Sequence, residues 1–175
     1  MCVSLEDTLQ HPFEQQRLAA LASYQLFGTA PETTFDEIVA LAAQICNAKI
    51  GLISLVGEQT IWFKAQYGID AQTATREGSF CSQAILQDDV LVVEDAAQDD
   101  RFAPAIEINE EQAVRFYAGA PLITSSGLPI GVICALDDQP KQMTELQVLT
   151  LKVLANQVMA QMELHKSLRQ MRIHS

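Results

Sequence analysis

The sequence predicts an α+β fold: a central antiparallel β-sheet with helices from both ends of the chain packed on it. Three observations lead there. Helical periodicity fills the two ends, short β-rich runs fill the middle, and two pairs of those runs are joined by separators short enough for hairpins rather than crossovers. The 175 residues are 49% apolar and 19% charged, enough for one domain with one sizeable core and too apolar for disorder. No repeat, low-complexity segment or long linker divides the chain.

From Glu14 to Phe27 apolar residues recur at helical spacing (Leu18, Leu21, Ala22, Tyr24 to Leu26), and Gly28 offers a C-terminal cap. After Ala30-Pro31, Thr33 or Thr34 can cap a second helix to about Asn47, with Phe35, Ile38, Val39, Leu41, Ala42 and Ile45 as its buried stripe. Asp36 and Glu37 sit where its dipole favours anions. Strands are expected at Ile50 to Val56, Ile61 to Tyr67, Val90 to Glu94, Arg115 to Ile123 and Pro129 to Leu136. Between the second and third, Thr73 to Gly78 reads as a loop and Ser79 to Gln87 as a short helix; after the third comes an acidic stretch interrupted by Pro104. From Thr144 to Met171 there is neither Gly nor Pro, so one long helix is expected, packing through Leu146, Leu149, Val153, Leu154 and Val158. A helix of that length spans about 42 Å, longer than a small sheet is wide. The chain thus divides into a tail over 1–13, one domain over 14–164 and a projecting helix end over 165–175.

Charge narrows the functions. With 22 acidic against 11 basic residues the net charge is −11, which repels a phosphate backbone, so nucleic acid is not an expected partner. Nine acidic residues between Asp88 and Glu111 face Arg101 alone; they read as a solvated loop or as a site for a cation or partner. Lys166, Arg169 and Arg172 make the end of the last helix basic, a place for a partner. No apolar run approaches the ~18 residues that span a bilayer, and residues 1–12 lack a secretory signal pattern. Cys2, Cys46, Cys81 and Cys134 are scattered without CxxC spacing, against a zinc site or a disulfide framework. A reducing, cytoplasmic setting is expected.

Several runs then stand in a recognisable order: Leu26-Phe27-Gly28-Thr29-Ala30-Pro31-Glu32, Phe35-Asp36, Ile53-Ser54-Leu55-Val56, Trp62-Phe63-Lys64-Ala65, Ser79-Phe80-Cys81-Ser82, Val93-Glu94-Asp95-Ala96 and Arg115-Phe116-Tyr117-Ala118-Gly119-Ala120-Pro121-Leu122. From about Arg17 to Leu164 the chain resembles the GAF domain, in particular the bacterial sensory subgroup found ahead of histidine kinases and diguanylate cyclases. The resemblance implies terminal helices on one face of the sheet and a small-molecule pocket under the connectors of the other. It also implies a homodimer through the N- and C-terminal helices and a sensory or regulatory role. No kinase or cyclase output domain is expected within the 175 residues, so the signal would pass to a separate protein.

By that arrangement the connectors from Ala65 to Gln87 and from Asp95 to Glu111 cover the pocket. Candidate ligand contacts are Trp62, Phe63, Phe80, Phe102, Tyr117, Ser79, Cys81 and Arg115. The aromatics suit an apolar or planar ligand, or simply fill the core. Phe116 and Tyr117 are adjacent in one strand, so only one of them can enter the pocket. Ser79, Cys81 and Ser82 at a helix start could receive an anion or merely cap. Arg115 could hold a carboxylate or make a loop ion pair, the role expected of Arg101 among Asp95, Asp99 and Asp100. Cys81 reads as a buried inert thiol or a reactive one.

One GAF branch reduces free methionine-R-sulfoxide through paired cysteines. No cysteine lies between Asn47 and Phe80 or between Ser82 and Ile133, so that constellation looks incomplete and a non-enzymatic role is expected. Cys81-Ser82 replaces the Cys-His pair of bilin binders, and His11, His165 and His174 lie outside the sheet region. The cyclic-nucleotide pattern Asn-Lys-x-x-Phe-x-x-x-Asp-Glu is not found, and no metal-ligand spacing occurs. The cofactor is therefore left unknown. The competing reading is an interaction adaptor whose pocket is filled by its own side chains.

Overall fold

The computed structural model describes residues 11–102, 107–109 and 112–173. Helix α1 (Glu14–Ser23) and helix α2 (Thr33–Ile45) precede strands β1 (Ile50–Val56), β2 (Thr60–Tyr67) and β3 (Thr73–Thr75). The short helix α3 (Phe80–Ala84) and β4 (Leu91–Val93) follow, then a 3-10 turn (Ala96–Gln98) and a two-stranded ribbon, β5 (Glu107–Asn109) with β6 (Gln112–Ala113). The chain closes with β7 (Phe116–Ile123), β8 (Pro129–Asp137) and the 29-residue helix α4 (Glu145–Ile173). The main sheet has six antiparallel strands in the order β3-β2-β1-β8-β7-β4. The α+β class and the two hairpins expected from the sequence are therefore present.

Helices cover one face of the sheet. Leu21 of α1, Phe35, Val39 and Ala42 of α2, and Leu151, Leu154, Val158 and Met162 of α4 pack on Ile53, Leu55, Phe116, Ala118, Leu122, Ile133 and Ala135. The opposite face carries Leu52, Val56, Tyr117, Val132, Cys134 and Leu136 beneath α3 and its flanking connectors. With both faces covered, β1 and β8 are buried at every position, hence their near-continuous apolar runs in place of alternation. Gly51 makes the helix layer's close approach possible: a Cβ there would sit 2.2 Å from the Val39 carbonyl oxygen.

Several expectations about local structure need correction. Helix α1 stops at Ser23 rather than Phe27, and Gln25, at φ 53°, takes the left-handed turn assigned to a cap at Gly28. The N-cap of α2 is Glu32, whose side chain makes no capping bond and instead pairs with Lys64 at 2.9 Å. The buried stripe of α4 is Leu151, Leu154, Ala155, Val158, Met159 and Met162, whereas Leu146, Leu149 and Val153 are 70%, 55% and 48% exposed. Leu41 and Ile45 of α2 are exposed as well. The segment 73–75, read as loop, pairs with β2, and the ribbon β5-β6 was likewise unforeseen. Cys2, Pro104, Glu110, Glu111 and His174 lie outside the described residues.

Buried cations lock the helix layer to the sheet. Strand β2 bulges at Lys64, between the pairs Ile53↔Ala65 and Ser54↔Phe63, so Lys64 and Ala65 both turn toward the helices. Lys64 Nζ donates to Thr29 Oγ1 at 2.7 Å and the Ala30 carbonyl at 2.8 Å, besides its ion pair with Glu32. All three ammonium protons are thereby placed. At the other end, Glu14 receives Arg17 Nε and Nη2, both at 2.9 Å, and the Arg76 guanidinium. Arg17, with no solvent exposure, also donates to the Val56 carbonyl at 2.6 Å, and Arg76 donates to the Gly57 carbonyl at 2.9 Å.

Candidate functional site

The cavity of interest lies on the face away from the terminal helices. It encloses about 370 Å³, within the range of small-molecule sites. Its floor is sheet: Leu52 of β1, Ile61 and Phe63 of β2, Cys134 and Leu136 of β8 and Tyr117 of β7. Phe80 and Cys81 of α3 form one wall, and the segment from Ala71 to Ser79 forms the rim.

Strand parity decides which candidates reach it. Tyr117 turns to the cavity and Phe116 to the helix layer. In the same way Phe63 lines the cavity while Trp62 packs on the helix side, with its ring 5.8 Å from Phe27. The Phe80 ring stacks on Tyr117 at 4.9 Å and 15°, and Phe102 backs Phe80 at 4.6 Å. The tyrosine ring lies along its own strand over Gly119, where a Cβ would come within 2.4 Å of the hydroxyl. Phe63, Ser79, Phe80, Cys81 and Tyr117 are thus gathered at one cavity.

Trp62, Phe102 and Arg115 are not among its lining. Arg115 makes a two-pronged ion pair with Asp95, at 2.8 and 2.9 Å, which ties the turn after β4 to the start of β7. Arg101 pairs with Asp99 at 2.6 Å and Lys152 with Asp89 at 2.8 Å, so part of the acidic stretch is structural. The start of α3 is capped: Ser79 Oγ accepts from the Ser82 amide at 3.1 Å, and Ser82 Oγ donates back to the Ser79 carbonyl at 2.6 Å. Capping, the plainer of the two readings, is what Ser79 does.

Chemically the cavity is an apolar slot with an aromatic stack and a hydroxyl-rich rim of Thr73, Thr75 and Ser79, where Glu77 is the charged member. Its deepest polar group is a cluster of sulfur and phenol. Cys81 Sγ is 3.4 Å from Tyr117 Oη, and Cys134, whose register partner Gly119 lies under that hydroxyl, lines the same cavity. Burial pushes the Tyr117 phenol well up, and the two neighbouring thiols add to it.

Cys81 nonetheless shares its cavity with a second cysteine. Cys134, distant in sequence, stands beside it because β8 is the central neighbour of both β1 and β7. Cys134 and Leu136 could have been found from parity, since Leu52↔Cys134 and Tyr117↔Leu136 are register partners on one face. The rim residues Ala71 to Gly78 fall within the connector from Ala65 to Gln87 that the family resemblance placed over the pocket, although none of them was singled out individually.

Comparisons with known proteins agree with this architecture. The GAF domain profile matches residues 30–162. The cyclic di-GMP phosphodiesterase PA2567 of Pseudomonas aeruginosa is 37% identical over 155 residues, covering 88% of this chain and 26% of that protein. The chain thus spans about a quarter of this relative's length. Among solved structures, the GAF domain from Acinetobacter phosphoenolpyruvate-protein phosphotransferase superposes with a TM-score of 0.63 at 16% identity, over 88% of this chain and 95% of that one. The free methionine-R-sulfoxide reductase from Neisseria meningitidis superposes with a TM-score of 0.62 at 18% identity, over 87% of each chain. At such identities these two likenesses speak for the fold alone. Among the described residues no helix is long and apolar enough to cross a membrane.

Proposed function

The chain belongs to the GAF domain family, and from that premise we propose that it is a cytoplasmic sensory module that acts by binding rather than by turnover. It would hold a small planar ligand in the cavity and report occupancy through α4. The carrying observation is the cavity itself, open to a ligand beside the Phe80–Tyr117 stack and not filled by the side chains of the described residues. An aromatic or heteroaromatic compound suits it: the stack offers a flat apolar face, while Thr73, Thr75, Ser79 and Glu77 offer polar contacts at one edge.

The route outward is short. In β7 Tyr117 touches the cavity, while its neighbours Phe116 and Ala118 belong to the core that contains α4. A ligand that favours one position of Tyr117 would thereby favour one seating of α4. Leu146, Leu149 and Val153 of α4 and Leu41 and Ile45 of α2 are exposed; we assign them to a homodimer interface made by α2 and α4 rather than α1. The likeness to part of a cyclic di-GMP phosphodiesterase supports a regulatory place beside a catalytic signalling unit, reached through the helix ends.

Native mass spectrometry of freshly purified protein tests both halves, and a thermal-shift screen of aromatic metabolites extends it. A ligand at a hundred times its dissociation constant stabilises by about 2.7 kcal/mol, a rise of roughly 5–10 °C for a domain of this size. Ala74→Trp, which fills the slot, should abolish that rise. A monomer at ~100 µM would overturn the dimer. Ligand binding that survives Ala74→Trp, or a screen in which no compound shifts the midpoint, would overturn the cavity assignment.

A further inference from the structure

Two thiols lining one cavity call for a chemical role beyond shape. Cys81 is on α3 and Cys134 on β8; both line the cavity, Cys81 Sγ lies 3.4 Å from the Tyr117 phenol, and that phenol lies over Gly119, the register partner of Cys134. Ser54 Oγ, on the same face, is the buried side-chain oxygen or nitrogen that lacks a hydrogen-bond partner among the described residues. A cysteine held for packing alone has its counterpart at Cys46, at the end of α2, where burial pushes the thiol up to about 11. Cys81 differs. The neighbouring Cys134 pulls its thiol below the ordinary value; burial opposes this and the Tyr117 hydroxyl adds to the pull. The same pairing, with burial, pushes Cys134 up.

We infer that Cys81 and Cys134 form a peroxide-oxidisable dithiol that closes to a disulfide and ties α3 to β8 across the cavity wall. The Cys81 thiolate attacks one oxygen of hydrogen peroxide, the O–O bond breaks, and the departing hydroxide takes a proton to leave as water. The resulting Cys81 sulfenic acid is then attacked by the Cys134 sulfur; the S–O bond breaks, and the hydroxyl leaves as a second water with the Cys134 proton. Two thiols are oxidised by two electrons to one disulfide, and one peroxide is reduced to two waters. An external dithiol reverses the change by exchange. The short α3, held at its start by the Ser79–Ser82 cap, is the element that moves, so oxidation reshapes the cavity without unfolding the sheet.

The test uses the reduced chain, treated with a small excess of hydrogen peroxide and digested without reductant. A peptide pair joined through Cys81 and Cys134 should appear, lighter by two hydrogens than the separate thiol peptides, while Cys46 stays free. Cys81 should be consumed at least about tenfold faster than Cys46. In Cys134→Ser, Cys81 should instead accumulate as a dimedone-trappable sulfenic acid; in Cys81→Ser, Cys134 should stay reduced. Circular dichroism and Cys134→Ala guard against a fold defect. The inference is overturned if Cys81 pairs with another cysteine, if it oxidises no faster than Cys46, or if Cys134 oxidises equally well without Cys81. None of these readouts depends on whether a ligand is found, so this inference and the sensory reading fail separately.

Discussion

Replacing Glu14 by Gln probes the joint between the N-terminal helix and the cavity rim. Glu14 is the shared acceptor of Arg17 and Arg76, and the Arg76 carbonyl in turn receives the Ser79 amide and hydroxyl that begin α3. Burial alone would raise the Glu14 carboxyl, yet the hydrogen bonds from Arg17 and Arg76 hold it at about 2. Against an unfolded value near 4.5, that difference corresponds to about 3 kcal/mol. Because the side chain keeps 14% of its exposure and sits near solvent, screening lowers the usable part to about 1–2 kcal/mol. The depressed value fixes the sign: the contribution is complete above about pH 5 and drains away as the pH falls toward 2. Glu14→Gln also leaves two guanidiniums short of a counter-charge, although their carbonyl partners at Val56 and Gly57 remain. A total loss of about 2 kcal/mol at pH 7 is expected, or a drop of roughly 1 M in the urea midpoint. Urea titrations followed by circular dichroism at pH 7, 5 and 3 should show the gap between the two proteins narrowing by about half at the lowest pH. A gap below ~0.5 kcal/mol at pH 7, or one independent of pH, would refute the reasoning.

Three further substitutions address the other joints. Lys64→Met should cost about 2–3 kcal/mol, seen as a fall of roughly 5–10 °C in thermal midpoint, because the Ala30 carbonyl and the Glu32 carboxylate lose their buried donor. Gly119→Ala should displace the Tyr117 ring and cost about 1–3 kcal/mol by denaturant titration, and Tyr117→Leu in the same chain should recover part of the loss. Val153→Asp should convert a dimer to a monomer in light scattering while leaving the midpoint of unfolding of the monomer unit within ~0.5 kcal/mol, since Val153 is 48% exposed.

Much of the architecture was legible because it rests on local pattern. The helical and β-rich runs announced α2, α4 and the five long or buried strands, and the adjacency of Phe116 and Tyr117 announced that just one would face a pocket. What stayed hidden depends on distant partners or on unmarked backbone. Gln25 ends α1 in a conformation that glycine usually signals. β3 is three exposed residues, Thr73 to Thr75, too short to show alternation. The exposed Leu146, Leu149 and Val153 resemble a core stripe because an interface stripe and a core stripe share a periodicity. Cys134 joins Cys81 through strand order, which no spacing within the chain encodes. Several residues that carried the family resemblance, such as Thr29, Glu32 and Lys64, prove to be the clamp between helices and sheet rather than ligand contacts.

The placement of Trp62 has a spectroscopic consequence. It is the single tryptophan of the chain, and it sits beside Phe27 and the Lys64 ammonium on the helix side, with the sheet between it and the cavity. Its emission is therefore blind to a compound that merely enters the slot. A wavelength shift on adding a ligand or an oxidant would record a rearrangement that had already crossed the sheet, which makes this indole a built-in reporter of transmission as distinct from occupancy.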